Sequence, residues 1–183
     1  MALDPGAMHQ RIIDNLAEKT GKPISHWLTL LDSAPIDRRE RISMLKEEHG
    51  IGHHTAVAIV REKDGDVPWR DPDTLEAALA TAVPSKYRPG FDEMRRFLCN
   101  MPRVKPVPCR TYLGFKAKRQ FAVLKPSPTA GFTLGLALPH DGNPALEEAR
   151  GLGSARITSK SDAEVGIEFL KEAALMAYEL DVS

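Results

Sequence analysis

A cluster of prolines, Pro102, Pro106 and Pro108, divides the chain into two kinds of pattern. No α-helix runs through that stretch, because proline lacks the amide donor and clashes with the preceding turn. Before it, apolar residues recur at three- and four-residue spacing, the signature of amphipathic helices. After it, short runs alternate and read as strands. The chain must therefore change class near residue 101, from an all-helical unit to an α+β unit in which a small antiparallel sheet is flanked by helices. At 183 residues, that is one ordinary domain or two small ones.

The helical part reads as follows. Ile12, Ile13 and Leu16 give a first apolar face, stopped at Thr20-Gly21, where glycine serves as a C-terminal cap. Pro23 suits the first turn of a second helix carrying Ile24, Trp27, Leu28, Leu30 and Leu31. Asp32-Ser33-Ala34-Pro35 breaks it, a third helix covers 36–48, and a fourth runs from about His53 to Arg61. Asp71-Pro72-Asp73-Thr74 starts a short helix that Pro84 stops, and another covers about 90–100. Strands are expected over 111–116, 120–125, 131–138 and 154–159, with a hairpin link at Lys118-Arg119 and a loop at Asp141-Gly142-Asn143-Pro144. Asp162 caps a closing helix. The expected domains are 8–65, helical; 66–85, a connector with a short helix; and 86–181, α+β.

Equal numbers of basic and acidic residues, 25 each, hide a strong segregation. From Lys86 to Lys125 there are eleven cations and only two acids, Asp92 and Glu93, so this segment carries +9 and the remainder −9. A segment this basic, interleaved with Tyr112, Phe115 and Phe121, is a footprint suited to phosphates. Strand alternation places Lys116 and Lys118 on one face and Phe115 on the other, provided no bulge intervenes. The competing expectation is that these charges pair with the acidic closing helix, which carries Asp162, Glu164, Glu168, Glu172 and Glu179.

Between the third and fourth helices lies Glu47-Glu48-His49-Gly50-Ile51-Gly52-His53-His54-Thr55-Ala56. It resembles a helix-hairpin-helix motif: two glycines free of Cβ constraints, an apolar plug between them, and helix-start amides able to hold a phosphate. Such a site reads the backbone and not the bases. The match is partial. Glu47 and Glu48 oppose a polyanion, and histidines stand where the motif often has lysine or arginine; they strengthen phosphate binding only as pH falls.

Other chemistries find little footing. The sequence contains no Gly-x-Ser-x-Gly elbow, His-Glu-x-x-His, phosphate loop or dinucleotide fingerprint, and no cofactor is expected. His49, His53 and His54 invite a metal, but glycines break the helix that would align them, so no metal site is expected. Two cysteines make no disulfide framework; Cys109, near Lys105 and Arg110, is the one thiol with an argument for reactivity. No run of about 18 apolar residues spans a membrane, and the first residues lack a signal peptide, so a cytoplasmic protein is expected. Met8 is itself a candidate start, which makes 1–7 an added or frayed end.

Two resemblances follow from these residues. Lys19-Thr20-Gly21-Lys22, Trp27-Leu28 and the Glu48-His49-Gly50-Ile51-Gly52-His53 core resemble a small helical bacterial family known only as a domain of unknown function. Thr111-Tyr112-Leu113-Gly114-Phe115-Lys116, the strand from Phe121 to Leu124 and the closing helix are similar to a second uncharacterised family, associated with predicted transport proteins and nuclease-like proteins. The resemblances imply fold units and carry no catalytic residues.

The first expectation is thus a non-catalytic nucleic-acid-binding module, for DNA or RNA. Gly50, Gly52, His53 and His54 would contact phosphate, and Arg110, Lys116, Lys118, Arg119 and Lys125 would form an electrostatic surface. The alternatives are a small-molecule or protein-binding module with Tyr112 and Phe132 lining a concave sheet, and an enzyme of unrecognised type. Oligomeric state is open.

Overall fold

The computed structural model describes residues 4–129, 131–140, 142–160 and 165–183. The chain divides into two compact units, one ending at Arg70 and one beginning at Asp71. The segment expected as a connector is shared between them: 66–70 belong to the first unit and 71–85 to the second.

The first unit is helical: α1 (Pro5–Asp14), α2 (Leu16–Thr20), α3 (Ile24–Leu30), α4 (Arg38–Glu47), α5 (His53–Asp64) and a 3₁₀ turn, Pro68–Arg70. Its ends follow local chemistry. Gly21 and Gly65 close α2 and α5 in the left-handed region, at φ 69° and 67°. The Asp37 carboxylate accepts the Arg39 and Glu40 amides at 2.8 and 3.1 Å, so α4 starts after Asp37, not at Ile36, which is 97% exposed. The first expected helix is broken at Asn15 into α1 and α2, and Pro23 precedes α3 as an extended cap instead of sitting in its first turn. Leu16, Trp27, Leu31, Leu45, Ile51, Ala56, Ile59 and Val60 form the core.

The second unit contains α6 (Pro72–Thr81), a 3₁₀ turn (Ser85–Tyr87), α7 (Arg88–Cys99), strands β1 (Lys105–Pro108), β2 (Leu113–Lys116), β3 (Gln120–Ser127), β4 (Gly131–Leu136), β5 (Glu147–Glu148) and β6 (Ile157–Lys160), and α8 (Ile167–Val182). The strands form one antiparallel sheet in the order β1-β2-β3-β4-β6-β5. The fold class is α+β, as the change of pattern requires. Strand alternation sends Leu113, Phe115, Ala122, Leu124, Phe132, Leu134, Leu136 and Ile157 to one face, where they join Phe91, Met94 and Leu98 of α7 and Leu170, Ala173, Ala174 and Ala177 of α8.

The proline segment that forbids a helix becomes β1, an edge strand, where Pro106 and Pro108 cost few ladder bonds and discourage pairing with another chain. The expected cap Asp162 lies outside the described residues, as do Asp141 of the expected loop and Glu164. The described part of the closing helix begins at Ile167, after Gly166.

Candidate functional site

The register of β1 on β2 places Lys105 directly opposite Lys116. Opposed side chains in an antiparallel pair stand about 4.5–5.5 Å apart at Cβ, and like charges there are destabilising. Lys116 then pairs with Gln120 across the β2–β3 hairpin, with a bulge at Phe115/Lys116. That bulge removes the simple alternation expected here. Lys118 lies in the link, exposed, and Phe121 is fully buried with Phe115 on the helix side. Phe115 and Phe121, interleaved with the cations, therefore belong to the core and offer bases no stacking surface, whereas Tyr112 stays half-buried outside that cluster.

The link between β2 and β3 is held by Asp181 at the end of α8. Its buried carboxylate accepts the Lys118 and Arg119 amides, each at 2.8 Å to Oδ2, and the Arg119 Nε–H at 3.2 Å to Oδ1. The closing helix thus meets the basic segment through Asp181, which was not among the acids expected to do so. Glu168 pairs instead with Lys171, which also meets Glu93. Lys105, Lys116 and Lys118 form no ion pair with any described residue. Asp181 positions the turn and leaves the lysine ammonium groups to solvent.

More cations gather at this end of the sheet. Arg103 precedes β1 and is the single non-glycine with positive φ among the described residues, at 61°. Arg156 precedes β6, and its amide donates to the Leu136 carbonyl at 2.8 Å. From β1 to β6 is four strand spacings, roughly 19 Å. Along that edge stand Lys105, Lys116, Lys118, Arg119 and Arg156, with Glu147 and Glu148 of β5 beyond them. A cleft of about 190 Å³ opens between Arg119, Gln120, Ser154, Arg156, Leu180 and Asp181.

The remaining expected residues fall elsewhere. Arg110 lies exposed in the β1–β2 turn, and Lys125 is exposed on β3 beyond the Leu113–Leu124 pair, so both sit toward the opposite end of the sheet from Lys116. Phe132 is 2% exposed, with its ring edge-on to Phe91 at 5.9 Å. Tyr112 is half-buried on the other side of the sheet; burial, then its bond to Cys109, pushes its phenol up to about 12. The two aromatics expected to share a pocket therefore line none together. Cys109 is half-buried, its Sγ 3.7 Å from the Val107 carbonyl oxygen, and neither cysteine is in a disulfide.

In the helical unit, the glycine turn is built as its spacing predicts at Gly50 and Ile51, but Gly52, at φ −62° and ψ 147°, takes a conformation open to any residue. Gly50 has φ 65°, Ile51 is buried in the core, and the Ile51 amide returns to the Leu45 carbonyl at 3.0 Å. Gly52 precedes α5 without a side-chain cap, and Gly52, His53 and His54 are exposed. The first amides of α5 are thus available to an anion. The His53 and His54 rings stand 5.5 Å apart, and among the described residues no three His, Cys, Asp or Glu side chains gather as a metal group. No helix among the described residues is long and apolar enough to cross a membrane.

Sequence reasoning missed Asp181 and Arg156 as parts of this surface, while Arg103 was counted in the basic segment. Lys105 was within the basic segment, but only the register reveals its partner. No curated protein and no solved structure matches the chain. One family model does match, over 8–65 and not into the α+β unit: the helical segment is similar to the family described as Domain of unknown function (DUF4287).

Proposed function

We propose that the protein is a non-catalytic module that binds the phosphate backbone of nucleic acid through the basic end of its sheet. The observation that carries this reading is the Lys105–Lys116 cross-strand pair, flanked by exposed Lys118 and Arg119. Two ammonium groups held opposite each other are unfavourable in the free protein and become favourable once an anion lies between them. Asp181 supports the arrangement by fixing the turn while taking up only Arg119 among the side chains of this edge. Within the helical unit, the exposed amides after Gly50-Ile51-Gly52, with His53 and His54, form a separate candidate phosphate contact. The absence of exposed aromatics among these cations favours backbone contact over base stacking.

The test is a fluorescence-anisotropy titration of labelled duplex and single-stranded oligonucleotides across salt concentration. Five phosphate contacts on duplex give a log–log slope of about −4.5. Replacing Lys116 with Glu should weaken binding and flatten the slope. Undetectable binding to DNA and RNA of either form at low salt removes the reading.

A further inference from the structure

The cleft of about 190 Å³ interrupts the line of cations along the basic edge. Arg119 immediately precedes β3 and Arg156 immediately precedes β6, with β4 between those strands. Their backbones are therefore two strand spacings apart, roughly 9.5 Å. Both residues line the cleft and both are exposed. Arg119 donates its Nε–H to Asp181, with its side chain still 69% exposed. Arg156 forms no ion pair with any described residue.

The interior differs in character from this rim. One wall is apolar, made by Ala137 just after β4 and by Ala177 and Leu180 of α8. Leu180 is 52% exposed and Ala137 is half-buried, so a ligand can reach that wall. The polar groups inside are already engaged. The Ser154 hydroxyl donates to the Gln120 carbonyl at 2.5 Å, and the Asp181 carboxylate accepts the Lys118 and Arg119 amides.

A phosphate gains nothing from an aliphatic wall, whereas the face of a ring does. The volume lies somewhat above the roughly 150 Å³ of a cavity that admits benzene, so it suits one six-membered ring with a few substituents. A strand whose successive phosphates lie on the two arginines would bring the base between them against Leu180. We infer that the cleft takes one unstacked pyrimidine base of a single-stranded nucleic acid, with the flanking phosphates on Arg119 and Arg156. The inference rests on the phosphate-backbone reading and adds the strandedness of the ligand, because a paired base cannot enter. Contact with aliphatic carbon holds the ring here, without aromatic stacking. Ring size selects the base, since the interior polar groups are occupied.

The test is fluorescence anisotropy of the full chain with a labelled oligothymidylate and with an abasic strand of equal length. The two have the same phosphates and differ in their bases. The oligothymidylate should bind about tenfold more tightly at the same salt concentration. Leu180→Ser removes the exposed part of the wall, and Ala137→Leu fills the cleft. Each should bring the ratio of the two affinities down to about threefold or less. Equal affinity of the two strands for the parent protein overturns the inference and leaves the phosphate reading standing. A ratio that survives both substitutions also overturns it, because the base then binds elsewhere. Undetectable binding of either strand removes the phosphate reading and the inference with it.

Discussion

In the helical unit four of the cations are matched locally. Arg38 meets Asp66 and Arg41 meets Asp64, each at 2.7 Å, while Lys63 meets Asp32 and Arg70 meets Glu62. In the α+β unit, Arg95 meets Glu76 on the helices, and at the basic end of the sheet Arg119 meets Asp181. Lys105, Lys116 and Lys118 are left to water, two of them opposed in register. The helical unit also leaves Arg11, Lys19, Lys22, Arg39 and Lys46 without an ion pair to a described residue, so what sets the sheet edge apart is the opposition of two lysines in register. The difference places the candidate interface on the second region, since exposed pairs add little stability and unmatched like charges subtract some.

The largest expected effect concerns the anchor of that edge. Asp181→Ala strips the acceptor from two amides and should cost the α+β unit about 2–4 kcal/mol. Hydrogen exchange at Lys118 and Arg119 should accelerate well beyond that of α5 amides. Unchanged protection would show that Asp181 does not hold the turn.

The next effect is on binding. Replacing Lys105, Lys116 and Lys118 together with Glu should lower nucleic-acid affinity about a hundredfold or more and reduce the salt slope by about 2.7. Arg38→Gln with Arg41→Gln in the helical unit should leave affinity within about twofold and cost no more than about 1 kcal/mol in denaturant unfolding. Equal losses from both sets would erase the contrast between the units.

Acid and alkali should separate the regions as well. Burial raises the Glu62 pKa, but hydrogen bonds from His9 and Arg70 outweigh it, and the carboxyl is held below its ordinary 4.5. A depressed carboxyl pKa contributes stability above the unfolded value, lost as pH falls through the folded one. Glu62→Gln should therefore cost about 1–2 kcal/mol at neutral pH and flatten the acid limb of a stability profile for α5. Tyr112 works in the opposite direction. With its phenol at about 12, its contribution is intact below the ordinary value of 10.0 and is lost as pH rises toward 12. Ultraviolet titration should show one tyrosine ionising near pH 12, and Tyr112→Phe should remove that step.

Much of the architecture was legible because local chemistry decides it. Gly21 ends a helix by backbone freedom, Gly50-Ile51-Gly52 builds a turn around an apolar plug, and alternation fixed β2, β3 and β4 to within a few residues. β1 was hidden because proline signals exclusion from a helix more clearly than membership of an edge strand. The site was only half legible. A basic segment is visible in composition, yet the opposition of Lys105 and Lys116 depends on register, and Asp181 reaches its turn from 62 and 63 residues away. Phe115 and Phe121 misled for the same reason: their sequence neighbours are cations, but a bulge and the sheet's inner face make them core.

Lys116→Glu tests the central claim most directly, through paired measurements of thermal stability and oligonucleotide affinity on one variant. The change converts a like-charge pair with Lys105 into an attractive one. The account predicts a fold more stable by about 0.5–1 kcal/mol together with weaker, less salt-sensitive nucleic-acid binding. A variant that is no more stable and binds as tightly as the parent would contradict it.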